Sequence, residues 1–265
     1  MNRTLKLGCM MIAGGVLLGG EAVTRATPST QIWIPSTDVQ PFNVWHLGLD
    51  NYVRTSGKGN FTPGQRDPNV YDAGLTVGVL PFEKVKAEVG VDYLVNGTAY
   101  DSHPVYFNAK VGIPEDALGK NAPALAVGGF NFGTNSKKSS ATRTDQNIVY
   151  GLAAETIPAF GSMPSLGRFS AGYYAGNKDV LLDKNGEDAN TGVLASWDRT
   201  MSEISDKLWV AVDYQGGGNA LSGLNFGVAW SFSKNVSVIF GYDRWDEPSL
   251  AGSDTFTTQL DITFP

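Results

Sequence analysis

The stretch 85–96, VKAEVGVDYLVN, places Val85, Ala87, Val89, Val91, Tyr93 and Val95 on one side and Lys86, Glu88, Gly90 and Asp92 on the other. Strict alternation of this kind is the mark of a β-strand with one apolar and one polar face. The alternation returns along most of the chain, and no helical period interrupts it. Strands are predicted at 42–54, 69–81, 84–96, 104–114, 122–134, 145–157, 166–176, 190–200, 206–216, 222–233, 235–245 and 254–264, twelve in all. Each is long enough to cross a bilayer at a tilt. Residues 122–134, APALAVGGFNFGT, fit either parity and are expected to bulge at Gly128–Gly129.

Which face of these strands meets water decides the fold. In a soluble sandwich or closed barrel the apolar face looks into a core. In a membrane barrel it looks into lipid, and the charges point inward. The aromatic residues favour the second arrangement. Tyr71, Tyr93, Tyr150, Tyr173, Tyr214 and Tyr242 fall on the apolar faces near one end of the predicted strands. Trp45, Trp197 and Trp230 fall on those faces near the other end. Two aromatic belts flanking an aliphatic band are what two membrane–water interfaces select; a soluble core has no reason to sort aromatics by height. The opposite faces carry Gly74, Gly78, Gly90, Gly112, Gly151, Gly172, Gly227 and Gly241, small residues suited to the inside of a cylinder. Charged residues make up 17% of the chain, against about 25% in typical soluble domains.

The connections alternate in kind. PFEK, PEDALGKN, PAFGSMPSL, MSEISD and SKN form one set. SGKGNFTPGQRDPN, GTAYDSH, TNSKKSSATRTDQ, NKDVLLDKNGEDAN, GGGNALS and DEPSLAGSD form the other, mostly longer and more polar. Outer-membrane barrels have short inner turns and long outer loops, and an even strand number places both ends inside.

Residues 1–26 have the form of a secretory signal, with Arg3 and Lys6 before the apolar stretch Leu7–Gly20 and a small-residue site ending at Ala26. Cys9, the sole cysteine, precedes that stretch, so it is not a lipoprotein box, and the processed chain would hold no disulfide. The segment 27–41, TPSTQIWIPSTDVQP, carries Pro28, Pro35 and Pro41, which discourage a ladder. It is expected either as a periplasmic tail or as a segment inserted into the lumen with Trp33 as anchor. Residues 42–265 form the barrel. The net charge of −6 argues against nucleic acid as a partner.

The last strand, TFTTQLDITFP, alternates Phe256, Thr258, Leu260, Ile262 and Phe264 outward. With the leader, the alternating strands and the aromatic belts, it resembles the bacterial outer-membrane transmembrane β-barrels over about residues 42–264. That porin-like family typically ends on such a strand with a terminal aromatic; here Pro265 follows Phe264. The resemblance implies an all-β, single up-and-down antiparallel barrel in the outer membrane, in contact with lipid and lipopolysaccharide. A monomer is the expectation for twelve strands. Architecture of this kind does not fix function.

The strand parity places Asp50, Asp72, Glu88, Asp92, Glu155, Asp198, Asp213, Asp243 and Asp261 inward, against Arg54, Lys86, Lys110 and Arg168. Asp72, Asp92, Asp213 and Asp243, with Arg54, are expected at the outer mouth. Lys86, Glu88, Lys110, Glu155 and Arg168 are expected in the inner half, with Glu88–Lys110 and Glu155–Arg168 as candidate pairs. Clustered acids in a narrow cylinder concentrate cations. The expected function is passive diffusion of small cationic or neutral solutes. A closed structural or binding barrel is the alternative. Catalysis is not expected: of the two histidines, His46 and His103, neither stands in a His-x-Ser spacing such as resembles the barrel lipases. No Cys/His cluster points to a metal or cofactor.

Overall fold

A computed structural model of the chain describes residues 29–60, 64–161 and 163–265. The expected leader and the first two residues of the 27–41 segment lie outside the described residues. The twelve strands are β1 (Trp45–Arg54), β2 (Val70–Gly78), β3 (Lys86–Val95), β4 (Val105–Ile113), β5 (Ala124–Gly133), β6 (Asp145–Ile157), β7 (Gly167–Ala175), β8 (Thr191–Thr200), β9 (Leu208–Gln215), β10 (Gly223–Ser231), β11 (Val236–Trp245) and β12 (Thr255–Phe264). Every strand pairs antiparallel with its neighbours in sequence, and β12 returns to β1 with Trp45 opposite Phe264 and Arg54 opposite Thr255. Closure leaves no unpaired ladder edge, which a backbone surrounded by hydrocarbon requires.

The apolar faces point outward. Leu49, Val89, Val91, Val127, Val193, Val228 and Phe240 are exposed, whereas Asp213, Asp243, Gln259 and Asp261 are buried inside. A continuous exposed apolar band of this extent is a surface for lipid rather than for water. Tyr71, Tyr93 and Tyr173 stand on it near the long-loop end, and Trp230 near the short-turn end. Tyr242 shares the outward face with Phe226 and Phe256, its ring 5.6 Å from the first and 5.2 Å from the second.

Two strands depart from simple alternation. The bulge in β5 lies beyond Gly128–Gly129, between Phe130 and Phe132, where Asn131 adopts φ 54°. Directly across, β6 carries an extra residue at 146–147, with Asn147 at φ 48°. Asparagine tolerates the left-handed region better than other side-chain-bearing residues, and Asn131 Nδ2 bridges the two bulges by donating to Gln146 Oε1 at 2.6 Å. An inserted residue reverses every side chain beyond it. In β6, Asp145 is therefore buried above the bulge, while Ile148, Tyr150, Leu152 and Ala154 are buried below it. This corrects two expectations: Tyr150 faces the lumen rather than the aromatic belt, and Glu155 is exposed on the outer face.

Residues 29–41 lie inside the barrel. Ile32 and Ile34 are 1% and 0% exposed. Ile32 packs with Trp209, Ala211, Ala229 and Ile239. Ile34 packs with Ile148, Tyr150, Leu152, Tyr174, Leu181, Leu194 and Leu221. Burying an isoleucine side chain contributes about 1.5–3 kcal/mol. These two residues thus seat the segment against the β6–β11 side of the wall, whose inward residues are unusually apolar for a membrane barrel.

Candidate functional site: the lumen and the segment within it

Polar side chains fix the backbone of residues 29–41 along its length. Asp213, projecting from β9, accepts N–H bonds at one carboxylate oxygen from Ile32 (2.8 Å), Trp33 (2.8 Å) and Ile34 (3.4 Å). Its other oxygen accepts from Asn225 Nδ2 at 2.8 Å. From β12, Gln259 Nε2 donates to the Ile32 carbonyl at 2.8 Å. Trp33 Nε1 donates to the Leu221 carbonyl at 3.0 Å, and the Trp33 ring meets Trp245 edge-on at 4.9 Å. A segment with three prolines in residues 27–41 cannot satisfy its amides by joining the ladder; strand side chains take those of residues 32–34, and the Gln31 and Ser36 amides donate to the Ile34 and Ser29 carbonyls within the segment.

Nearer the short turns, Glu88 of β3 accepts from Gln40 N–H at 2.7 Å and from Ser29 Oγ at 2.9 Å. Lys110 of β4 lies 3.2 Å from Glu88 and donates to the carbonyls of Ser29 and Ser36. The expected Glu88–Lys110 pair is thus formed across the directly opposed ladder positions of β3 and β4. Arg168 of β7 does not pair with Glu155. Its guanidinium reaches Asp198 on β8 at 2.9 Å and Asp38 at 2.7 Å. Glu155 belongs to the part of β6 below the bulge where odd positions point outward, so no lumen partner is within its reach. Asp198 also accepts from Gln31 Nε2 at 3.0 Å and from Trp209 Nε1 at 3.1 Å. Buried charges that are paired and hydrogen-bonded in this way lock a geometry more than they stabilise it.

The remaining site residues are spread over β1, β2, β3 and β11. Asp72 and Asp92 are half-buried on β2 and β3, and Asp92 accepts from Asn108 Nδ2 at 2.7 Å. Asp243 is fully buried and accepts from Thr255 Oγ1 at 2.7 Å. Arg54 is a loop tether rather than a mouth charge: it donates to the carbonyls of Pro68 (2.9 Å) and Ser253 (2.6 Å). Lys86 lines the space at the short-turn end.

Two cavities lie beside the inserted segment. One of about 720 Å³ opens at the short-turn end and is walled by Thr37, Gln40, Lys86, Gly112, Lys207 and Asp261. The second, about 200 Å³, lies higher, among Asp50, Asp72, Asp92, His46, Trp33 and Tyr52. Asp261 lines both, 3.5 Å from His46 Nε2. The lumen is therefore uneven: β6–β11 supply the apolar residues that seat Ile32 and Ile34, while β1–β3 and Asp261 of β12 supply the acids around the smaller cavity. Strand parity found those acids. It missed the apolar inward residues of β6–β11, because a run such as Ile148, Tyr150, Leu152 looks like a lipid-facing strand. In the DKNGED loop, Asp183 accepts N–H bonds from Asn185 and Glu187, both at 2.8 Å. These bonds, led by that from Glu187, hold its carboxyl below the usual carboxylate range.

No protein-family model matches the chain, and no curated protein matches it. Among solved structures, the chain is similar to an outer membrane channel from Pseudomonas putida F1, with 11% identity over 85% of this chain and 96% of that one, at a TM-score of 0.44. It is similar to Salmonella typhi OmpF in complex with daunomycin, with 8% identity over 83% and 96% of the two chains and a TM-score of 0.39. It is also similar to Pseudomonas putida OprB, with 10% identity over 91% and 100% of the two chains and a TM-score of 0.35.

Proposed function

We propose that the protein is a porin-like outer-membrane channel for passive diffusion of small cationic or neutral solutes, with a conduit narrowed by residues 29–41. The observation that carries this reading is the pair of cavities beside the segment, both lined by Asp261, of which the higher one gathers Asp50, Asp72, Glu88, Asp92 and Asp261 against the single lysine Lys110. Both are walled by hydrogen-bonding side chains, and the inward carboxylates outnumber the inward bases. Carboxylates in a low-dielectric cylinder raise the local concentration of cations and lower that of anions. The segment sets the width; the β12–β4 wall sets the charge. The channel acts as a monomer in contact with lipid and lipopolysaccharide, exported by its leader.

The test is planar-bilayer recording of the folded protein in a potassium chloride gradient. Discrete conductance steps with a cation-selective reversal potential are expected. A protein that inserts in folded form yet stays silent would favour the closed scaffold, to which the buried anchoring of residues 29–41 also lends support. Anion selectivity would refute the assignment of the acidic wall.

A further inference from the structure

The 200 Å³ cavity is lined by both carboxylates and aromatic rings. Asp50, Asp72 and Asp92 stand on three successive strands: Asp50 is opposite Asp72 in the β1–β2 ladder, and Asp92 is opposite Gly74 in the β2–β3 ladder. Asp72 Oδ1 is buried without a hydrogen-bond partner. His46, on the same lining and only 5% exposed, leaves its Nδ1 unpartnered. Lys110 is the one lysine or arginine among the described lining residues, and it is already committed to Glu88 and to the Ser29 and Ser36 carbonyls. Trp33, Tyr52, Phe130 and Tyr150 line the same space, Tyr52 two residues from Asp50 on β1, and the Trp33 and Tyr52 rings meet edge-on at 5.5 Å.

Carboxylates without a nearby base, removed from bulk water, favour a cation beside them. Aromatic faces attract the same charge and accept a hydrocarbon body. A buried acceptor without a donor calls for one. A bare metal ion is served less well, because no three His, Asp or Glu side chains among the described residues are placed to hold one. We propose that this cavity is a binding site for a small organic ammonium ion. Its N–H groups donate to Asp72 and Asp92, and its alkyl part lies against Trp33 and Tyr52. This rests on the cation-channel reading in naming the cation's class, although binding itself needs no open conduit.

The experiment is calorimetric titration of 1,4-diaminobutane into the full chain folded in detergent, with a heat-modifiability gel to establish folding of every variant. Saturable one-site binding is expected, not displaced by an equal concentration of sodium. Asp72→Asn combined with Asp92→Asn is expected to weaken it by about tenfold or more, through loss of charged acceptors. Gly48→Val supplies a second variant that changes no charge. A Cβ there meets His46 Nε2 at 3.6 Å and Asp50 Oδ1 at 3.9 Å, ordinary contact distances, and the rest of the side chain is expected to occupy the cavity and weaken the diamine in protein that the gel shows folded. No saturable binding by the folded wild type, equal affinity in all three proteins, or displacement by equimolar sodium would overturn the proposal. Conductance without diamine binding sinks the site alone; binding without conductance sinks the channel alone.

Discussion

Removing the Asp213 carboxylate should release residues 29–41 while leaving the barrel closed. In Asp213→Ala the amides of Ile32 and Trp33 each lose a 2.8 Å bond to a charged acceptor in a site where Asp213 is 1% exposed. Each such bond contributes about 1.5–3 kcal/mol, so the two together amount to about 3–6 kcal/mol, with the longer Ile34 bond left aside. At about 1.4 kcal/mol per factor of ten, the undocked population rises about a hundredfold to ten-thousandfold. The lower end is expected, because water entering the space re-solvates part of the freed backbone. The readout is the alkylation rate of Ile34→Cys by a hydrophilic maleimide, in a chain whose only native cysteine, Cys9, is replaced by serine. Ile34 is 0% exposed, so a thiol there reacts only when the segment lifts away. The reporter's own loss of packing weakens the same docked state, so the ratio of the two rates is a lower bound on the effect of Asp213. When reclosing outpaces alkylation, the rate follows the population. Equal labelling rates with and without Asp213, in protein whose heat-modifiable band is intact, would refute the anchoring role. Conductance should rise in the same variant.

Four further outcomes follow from the same geometry. Asp72→Asn with Asp92→Asn should move the reversal potential in a salt gradient toward zero; replacing Asp243, which is fully buried and held by Thr255, should move it less. Glu155→Gln should leave selectivity unchanged, since Glu155 stands on the outer face; a shift in reversal potential would return it to the lumen. Arg168→Met leaves Asp38 and Asp198 without their guanidinium, at a cost of about 3–5 kcal/mol. The temperature at which the folded gel band converts should fall, and Arg168→Lys should restore only part of it. Asn147→Val forces a β-branched residue to φ 48° and should destabilise the barrel by about 1–2 kcal/mol, whereas Asn147→Gly should unfold near the wild-type temperature in the same gel assay.

Strand number, strand order and sidedness were legible because a two-residue period has only two solutions, and the height-sorted aromatics chose between them. The opening stretch shows it: Val89 and Val91 face out, and Glu88 is buried within. Reading failed where the period breaks. The extra residue of β5 beside Asn131 shifts its register with β4, that of β6 beside Asn147 shifts its register with β5, and a parity carried straight through 145–157 sends Tyr150 and Glu155 to the wrong faces. Nothing in a single sequence marks a left-handed asparagine inside an otherwise regular strand. The Glu88–Lys110 pair was readable because those residues are directly opposed in one ladder. The Arg168–Asp38 pair was not, because Asp38 belongs to a segment without period whose path is set by the wall around it.

The apolar patches inside β6–β11 bear on why the segment and the barrel wall form one folding problem. A lumen surface carrying Ile148, Leu152, Leu194, Trp209 and Ile239 would be poorly solvated if water filled it; Ile32 and Ile34 cover it instead. The dependence runs both ways, since the amides of residues 32–34 find their acceptor only in Asp213. Polar anchors and apolar seats therefore stabilise the same docked state by separate means, and their losses should add only where they are remote from one another. Ile34 and Asp213 are not remote, because Asp213 holds the Ile34 amide itself. Ile34→Ala leaves a buried space costing about 2–5 kcal/mol. Combined with Asp213→Ala it should raise conductance by less than the product of the single effects, because each loss weakens a contact that the other helps to hold. A fully multiplicative double mutant would mean that the two contacts restrain different motions, and that residues 29–41 do not leave the wall as one unit.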